Sequence, residues 1–282
     1  IHFDGSAGGN IVIDNCVIKG WTSFAAAIGK VTIKDSEFVE GNYNKLRFYQ
    51  NAEITNTVFN KEMSIDFGTN RVEATFEGCS VEDGTSLLDV IHLEDIVNRG
   101  VEVKVNNETV VVEAMVEGVA YLTLQEAIDA AQAGETVVLV KDIELTQTLL
   151  IKEGQNVTLD LAGYTIAGKD NKTTSFSLIS VNQGELTVED SVGTGKITLK
   201  AANDNGYARY SSVISNNQGI LTINGGTIEH LGGHTMAYAV DTLTNSNIGD
   251  AVTTINGGTL KSSYVAIRQF GNSTTKQNNL YL

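Results

Sequence analysis

The chain contains no proline in 282 residues, only two cysteines and one tryptophan, and 19 Lys and Arg against 34 Asp and Glu. Each scarcity carries information. Proline cannot donate a backbone N–H, so continuous hydrogen-bonded ladders reject it within strands, and average usage would put it at about 5%. A formal charge of −15 with no basic stripe lacks the electrostatic footprint that a phosphate backbone needs, which argues against a nucleic-acid partner. Such acidity fits a solvated surface, or weak divalent-cation sites of the Ca²⁺ kind. No run of about 18 apolar residues occurs, so nothing reads as a membrane-spanning helix. The opening Ile1-His2-Phe3-Asp4-Gly5 shows no secretory leader and already follows a repeat-like pattern. The expectation is a piece of a larger protein with its targeting and anchoring signals elsewhere.

What the chain has instead is a recurring phrase: apolar, any, apolar, any, Asn/Asp/Gly, small, any, apolar. It runs through Ile11 to Ile18, Val31 to Phe38, Ala52 to Phe59 and Ala74 to Val81. The anchors Ile13, Ile33, Ile54 and Phe76 are 20, 21 and 22 residues apart, the length of one winding of a β-solenoid. Alternation at period two reads as short strands, and Asn15, Asp35, Asn56 and Gly78 read as corners that tolerate turn geometry. Asn side chains stacked at such a corner form a ladder, which Asp35 and Gly78 are expected to interrupt. Cys16 and Cys79 fall in one column three windings apart. At about 4.8 Å per winding that is roughly 14 Å, so they are expected to be free and buried.

The phrase returns with looser spacing at Leu159 to Ile166, Leu186 to Ser191, Leu221 to Ile228 and Thr253 to Leu260. With Leu161, Val188, Ile223 and Ile255 as anchors, the steps are 27, 35 and 32 residues, so these windings must carry loops. Loops on a solenoid tend to gather on one face and to carry binding. Between the two sets, Leu87 to Val97 is too apolar for a free linker. Val101 to Val105 faces Thr109 to Val112 across Asn106-Asn107-Glu108 as a hairpin. The expected organisation is regular windings over 1–84, a closing cap over 85–118, and a second solenoid over 119–282. The last begins with a helix: Thr123-Leu124-Gln125-Glu126 matches a capping box, Leu124, Ala127, Ile128 and Ala131 share a face, and Gly134 ends it.

Tyr121 to Ile128, Gly134 to Leu139 and Val157 to Ile166 together resemble the start of many secreted bacterial proteins with a right-handed parallel β-helix of the pectate-lyase-like type. Leu221 to Ile228, Leu-Thr-Ile-Asn-Gly-Gly-Thr-Ile, is similar to windings of large bacterial surface and adhesin-like proteins. The resemblance covers 119–260 and, more loosely, the first half. It implies an all-β fold, two right-handed parallel β-helix segments in series, the second with an N-terminal capping helix, and an extracellular or cell-surface location. Function does not follow from the fold, which hosts lyases, hydrolases, tailspikes and adhesins. The resemblance implies grouped carboxylates with an Arg base and Ca²⁺ for a pectate lyase, or paired Asp with His and Arg for a galacturonan hydrolase. The phrases Asn-Thr-Asp, Asp-Asp, Gly-His-Gly and Arg-Ile-Lys that would mark those sites do not occur.

The residues nearest to a site lie in the loop-rich half. Glu229, His230 and His234 follow one winding, Asp204, Arg209 and Tyr210 the previous one, and Asp241 comes just beyond. A histidine beside a carboxylate can move protons on a glycan, and the same residues can equally be solvated loop side chains. Gly232-Gly233 between the histidines argues against a helical metal pair. Glu94-Asp95 and Glu189-Asp190 lack the spaced loop of a Ca²⁺ site. His92 reads as a hydrogen-bonded residue of the cap. Rings beside polar groups stack on sugar C–H faces, or stack inside the core. Of the rings between phrases (Trp21, Phe24, Tyr43, Phe48 and Tyr49, then Tyr207, Tyr210, Tyr238 and Tyr264), the preferred binding cluster is Tyr207, Arg209 and Tyr210. The expectation is a non-catalytic surface rod or adhesin that displays loops to a glycan or another surface component. A polysaccharide lyase or hydrolase is one alternative, and end-to-end self-association of terminal windings into a filament is another.

Overall fold

The structure, a computed structural model, describes all residues except 4–7, 25–28, 171–174, 202–209, 233–235, 245–248, 272 and 274. It is all-β with largely parallel sheets, in the arrangement of a β-helix-like solenoid. The chain divides into two compact units, Ile1–Val112 and Glu113–Leu282.

In the first unit successive windings give short strands to three largely parallel sheets of four, six and four strands. Ile11–Asp14, Val31–Lys34, Ala52–Thr55, Glu73–Glu77 and Glu102–Val105 stack in one of them. Its register pairs Ile13 with Ile33, Ile33 with Ile54, Ile54 with Phe76 and Phe76 with Val105, so the repeated apolar letter is a column in space. The corners explain the repeated polar letter. Asn15, Asp35, Asn56 and Gly78 all have left-handed backbones, with φ of 52°, 48°, 45° and 62°. Only Gly, Asn and Asp adopt that conformation routinely. Asp35 does not interrupt the corner ladder as expected: Asn56 Nδ2 donates to its Oδ1 at 3.1 Å, because a carboxylate accepts as well as an amide does. At Gly78 the backbone N–H donates to Asn106 Oδ1 at 3.0 Å instead.

Six phenylalanines fill this unit's interior without exposure. Phe3, Phe24, Phe48 and Phe67 stack in successive windings with ring centroids 5.6, 5.8 and 6.1 Å apart. Phe24 and Phe48 are therefore core rings, and Trp21 and Tyr43 remain exposed. Cys16 and Cys79 are free, but the expectation that both are buried is corrected: Cys16 is exposed and Cys79 half-buried, because they stand at the two ends of a column whose middle members, Ser36 and Thr57, are buried. Leu87–Val90 and Glu94–Arg99 form two short helices that bury Leu87 and Val90. His92 is bonded through Nε2 to Ser64 Oγ at 2.9 Å. The hairpin that follows is tighter than expected. Lys104 pairs with Thr109 and Val105 with Glu108, leaving a two-residue turn of Asn106 and Asn107 with φ of 49° and 65°. Positive φ at both positions matches the twist of the strands they join.

The second unit opens with a hairpin, Ala114–Val116 and Val119–Tyr121, whose first strand runs antiparallel to Thr136–Leu139 at the edge of an eight-stranded sheet. The helix Leu124–Ala130 lies next in the chain. Thr123 Oγ1 accepts from Glu126 N at 3.2 Å, and Glu126 Oε2 accepts from Thr123 N at 3.1 Å. Leu124, Ala127 and Ile128 enter the core with no exposure. The helix ends at Ala130, capped by Ala131, so Gly134 belongs to the next turn rather than to the helix terminus.

The register corrects one expected anchor. Val188 pairs with Leu159, not Leu161, while Val188, Ile223 and Ile255 share the column as expected. Two extra residues in the first corner caused the slip. That corner is held by carboxylates: Asp160 Oδ1 accepts from Ala162 N and Ser191 N, and Asp190 accepts from Gly163 N and Gly195 N. The third sheet stacks Leu149–Ile151, Phe176–Asn182, Ser211–Asn217, Ala237–Thr244 and Val265–Gly271.

Candidate binding groove

In the three middle strands of that third sheet strict alternation of buried and exposed residues fails, with an adjacent apolar pair buried in each. Leu178 and Ile179 are both buried, and so are Val213 and Ile214, then Ala239 and Val240. In a regular strand, residues three apart point to opposite faces. The buried doublet lets Tyr238 and Asp241, three apart, both meet Arg268 from the next winding.

Arg268 is the centre of the site. It stands in register with Asp241. It donates from Nε to Asp241 Oδ1 at 2.8 Å and from Nη2 to Oδ2 at 2.6 Å. Its guanidinium carbon lies 4.3 Å from the ring centroid of Tyr210 and 4.5 Å from that of Tyr238. Phe270 is a further neighbour at 5.4 Å. The rings of Tyr210 and Tyr238 are stacked at 6.4 Å, and Tyr264 meets Tyr238 edge-on at 6.0 Å. Three successive windings thus contribute Tyr210, then Tyr238 and Asp241, then Tyr264, Arg268 and Phe270.

Asp241 is 2% exposed. Burial pushes its carboxyl above the ordinary value, against the hydrogen bonds and charge of Arg268. Burial also disfavours the guanidinium, yet its hydrogen bonds to Asp241 hold Arg268 above its ordinary value. The two-point contact is the geometry of a carboxylate with a guanidinium, stronger than a neutral hydrogen bond.

A groove of about 340 Å³ opens over this pair. Tyr210 and Phe270, each 43% exposed, form its aromatic walls. Ser177 and Ser212, whose hydroxyls are 2.8 Å apart, supply polar lining from lower windings. The volume sits at the small end of the range for small-molecule sites.

The candidate site residues divide into three groups. Tyr210 and Asp241 come together in the groove. His230 does not join them: it lies in a different sheet, 3% exposed, with Nε2 2.9 Å from Ser211 Oγ. The reading of His230 as a solvated loop residue is corrected, because its strand runs on to Leu231 and turns the side chain inward. Asp204, Tyr207, Arg209 and His234 lie outside the described residues. Asp95 and Asp190 of the two acid pairs bond backbone N–H groups, Phe67 N to Asp95 and Gly163 N and Gly195 N to Asp190. Among the described residues there is no group of three or more His, Cys, Asp or Glu able to hold a metal ion. Among the described residues no helix is long and apolar enough to cross a membrane.

Arg268, Phe270, Ser177 and Ser212 were missed by the sequence reading. The available signal was the strand pattern Val265-Ala266-Ile267, which places Arg268 one winding beyond Asp241, 27 residues on. Compared with known proteins, the chain matches no family model, no curated protein and no solved structure.

Proposed function

We propose that the protein is a non-catalytic, extracellular surface module that binds a glycan through the groove at Arg268. The observation that carries this reading is the pairing of exposed rings, Tyr210 and Phe270, with a buried and hydrogen-bonded charge pair in one concave site. Aromatic faces stack on sugar C–H bonds, and fixed polar groups select the orientation of hydroxyls. A right-handed winding, with the helix Leu124–Ala130 capping the second solenoid, belongs to the same proposal, as does the pectate-lyase-like relationship. Within each unit, ladder hydrogen bonds and an apolar interior of stacked side chains suit a surface-displayed module.

A lyase or hydrolase is the weaker reading. A hydrolase needs a carboxylate free to act on substrate, and both oxygens of Asp241 are bonded to Arg268; an arginine base of the lyase kind needs a guanidinium clear of carboxylates, and Arg268 is held by Asp241 at two points. Glycan-array binding by the wild-type protein and by Tyr210→Ala tests the proposal. Binding that falls at least tenfold in the variant supports it, and undiminished binding removes this groove as the site.

A further inference from the structure

Resting on the glycan reading, we infer that the groove selects a neutral hexopyranose residue and rejects uronic acids and amino sugars. The argument is one of charge. Among the described residues, the charged side chains lining the groove are Asp241 and Arg268, and they are joined at two points. An acidic sugar finds a cation whose charge is already satisfied, within a chain of formal charge −15 that repels it at long range. A cationic sugar finds Asp241, the carboxylate among the described lining residues, at 2% exposure with both oxygens taken. Breaking the pair to free Arg268 for an acidic ligand would leave Asp241 buried and uncompensated, a strong penalty, and freeing Asp241 for a cationic one would take from Arg268, whose side chain is 18% exposed, its two-point partner.

What remains for a ligand is uncharged chemistry. Tyr210 and Phe270 offer apolar surface. Tyr210, Ser175, Ser177 and Ser212 carry hydroxyls that both donate and accept. Arg268, which is also hydrogen-bonded to Tyr210, presents its remaining N–H groups from a held position. A pyranose presents the matching set, a C–H face with equatorial hydroxyls around its rim. A groove of about 340 Å³ admits one or two such residues rather than a long chain.

The test is an NMR titration of the full chain at matched ionic strength, following the Arg268 Nε–H signal and the Tyr210 ring. The probes are methyl β-D-galactopyranoside, methyl β-D-glucopyranoside and methyl α-D-mannopyranoside, set against D-galacturonate and D-glucosamine. At least one neutral glycoside is expected to move both signals and to bind tenfold or more tightly than either charged sugar. Tyr210→Ala is expected to lose about tenfold in affinity and Tyr210→Phe, which keeps the ring, to lose little. Phe270→Ala serves as a second variant, because its ring is exposed and its removal leaves the Asp241 pair intact. Equal or tighter binding of galacturonate or glucosamine, with the same Tyr210 dependence, overturns the neutral selection while leaving the glycan reading in place. Signals that no sugar moves overturn both.

Discussion

The two units use the same parallel windings for different ends, and a matched pair of ion pairs shows the difference. In the first unit Arg47 stands in register with Asp66 in the next winding and donates Nε and Nη2 to its two oxygens, each at 2.7 Å. In the second, Asp241 and Arg268 repeat that geometry with the roles reversed. Around Asp66 the further neighbour is Lys45 at 2.8 Å, a second cation. Around Arg268 the further neighbours are aromatic rings. The first unit keeps its stacked rings inside, where they fill a core between windings of 20 to 22 residues. The second has a largely aliphatic core and sets Tyr210 and Tyr264 at the surface with Tyr238 buried against both, where longer windings surround a groove. The same two-residue lock is part of a wall in one place and of a binding floor in the other.

The strongest way to break this comparison is to remove a core ring. Phe48→Ala deletes the middle of the Phe24–Phe48–Phe67 stack and is expected to cost the first unit about 3–5 kcal/mol, seen as an earlier transition in urea. The groove's sugar binding below that transition is expected to be unchanged.

The next largest effect separates the two ion pairs. Arg268→Met strands Asp241 with no cation of its own and is expected to cost about 3–5 kcal/mol. Arg47→Met leaves Lys45 on Asp66, so a loss of about 1 kcal/mol is expected. Equal losses in denaturant melts of the two variants would mean that Lys45 does not share the work.

Acid sharpens the contrast, because the two carboxyls shift in opposite directions. Burial alone would raise Asp66, but the hydrogen bonds from Arg47 and Lys45 outweigh it and hold the carboxyl below its ordinary value. Its contribution is complete above the unfolded value near about 3.9 and disappears as pH falls through the lower folded value. Asp241 is raised, so ionising it costs the fold as pH rises from about 3.9 through its folded value, and nothing changes further above. Stability curves of Asp66→Asn and Asp241→Asn against wild type, measured from pH 2 to 7, are expected to diverge with opposite slopes. Parallel curves would contradict the assignment.

The smallest expected effect is at a corner. Gly78 has φ of +62°, and a Cβ there would come within 2.7 Å of Asn56 Oδ1. Gly78→Ala is expected to cost about 1–2 kcal/mol, and Gly78→Asn less, since Asn tolerates the backbone and suits the column. Thermal melts of the two variants distinguish these cases.

Much of the first unit was legible because its corners need a special backbone and so advertise themselves as Asn, Asp or Gly at a nearly constant interval. The column Ile13, Ile33, Ile54 and Phe76 followed directly. The second unit was less legible where a corner changed length. Asp160 and Ala162 take up two residues that the phrase does not encode, and the anchor slipped from Leu159 to Leu161. The site was half legible. Tyr210 and Asp241 carry recognisable chemistry, but their partner Arg268 becomes a neighbour only once the winding length is known. His230 shows the converse: its chemistry suggested a loop site, and its strand position buries it.

The stacking of equivalent residues is tested most directly by the two native cysteines. Val17 pairs with Glu37, Glu37 with Val58 and Val58 with Ser80, which sets Cys16 and Cys79 in one column three windings apart, roughly 14 Å at about 4.8 Å per winding. Spin labels on both thiols, measured by pulsed and continuous-wave electron paramagnetic resonance, are expected to give a single narrow separation of about 15–20 Å once the label arms are included. A distribution centred beyond about 30 Å, or a direct bond between the two sulfurs, would contradict the parallel register on which the solenoid reading of the first unit depends.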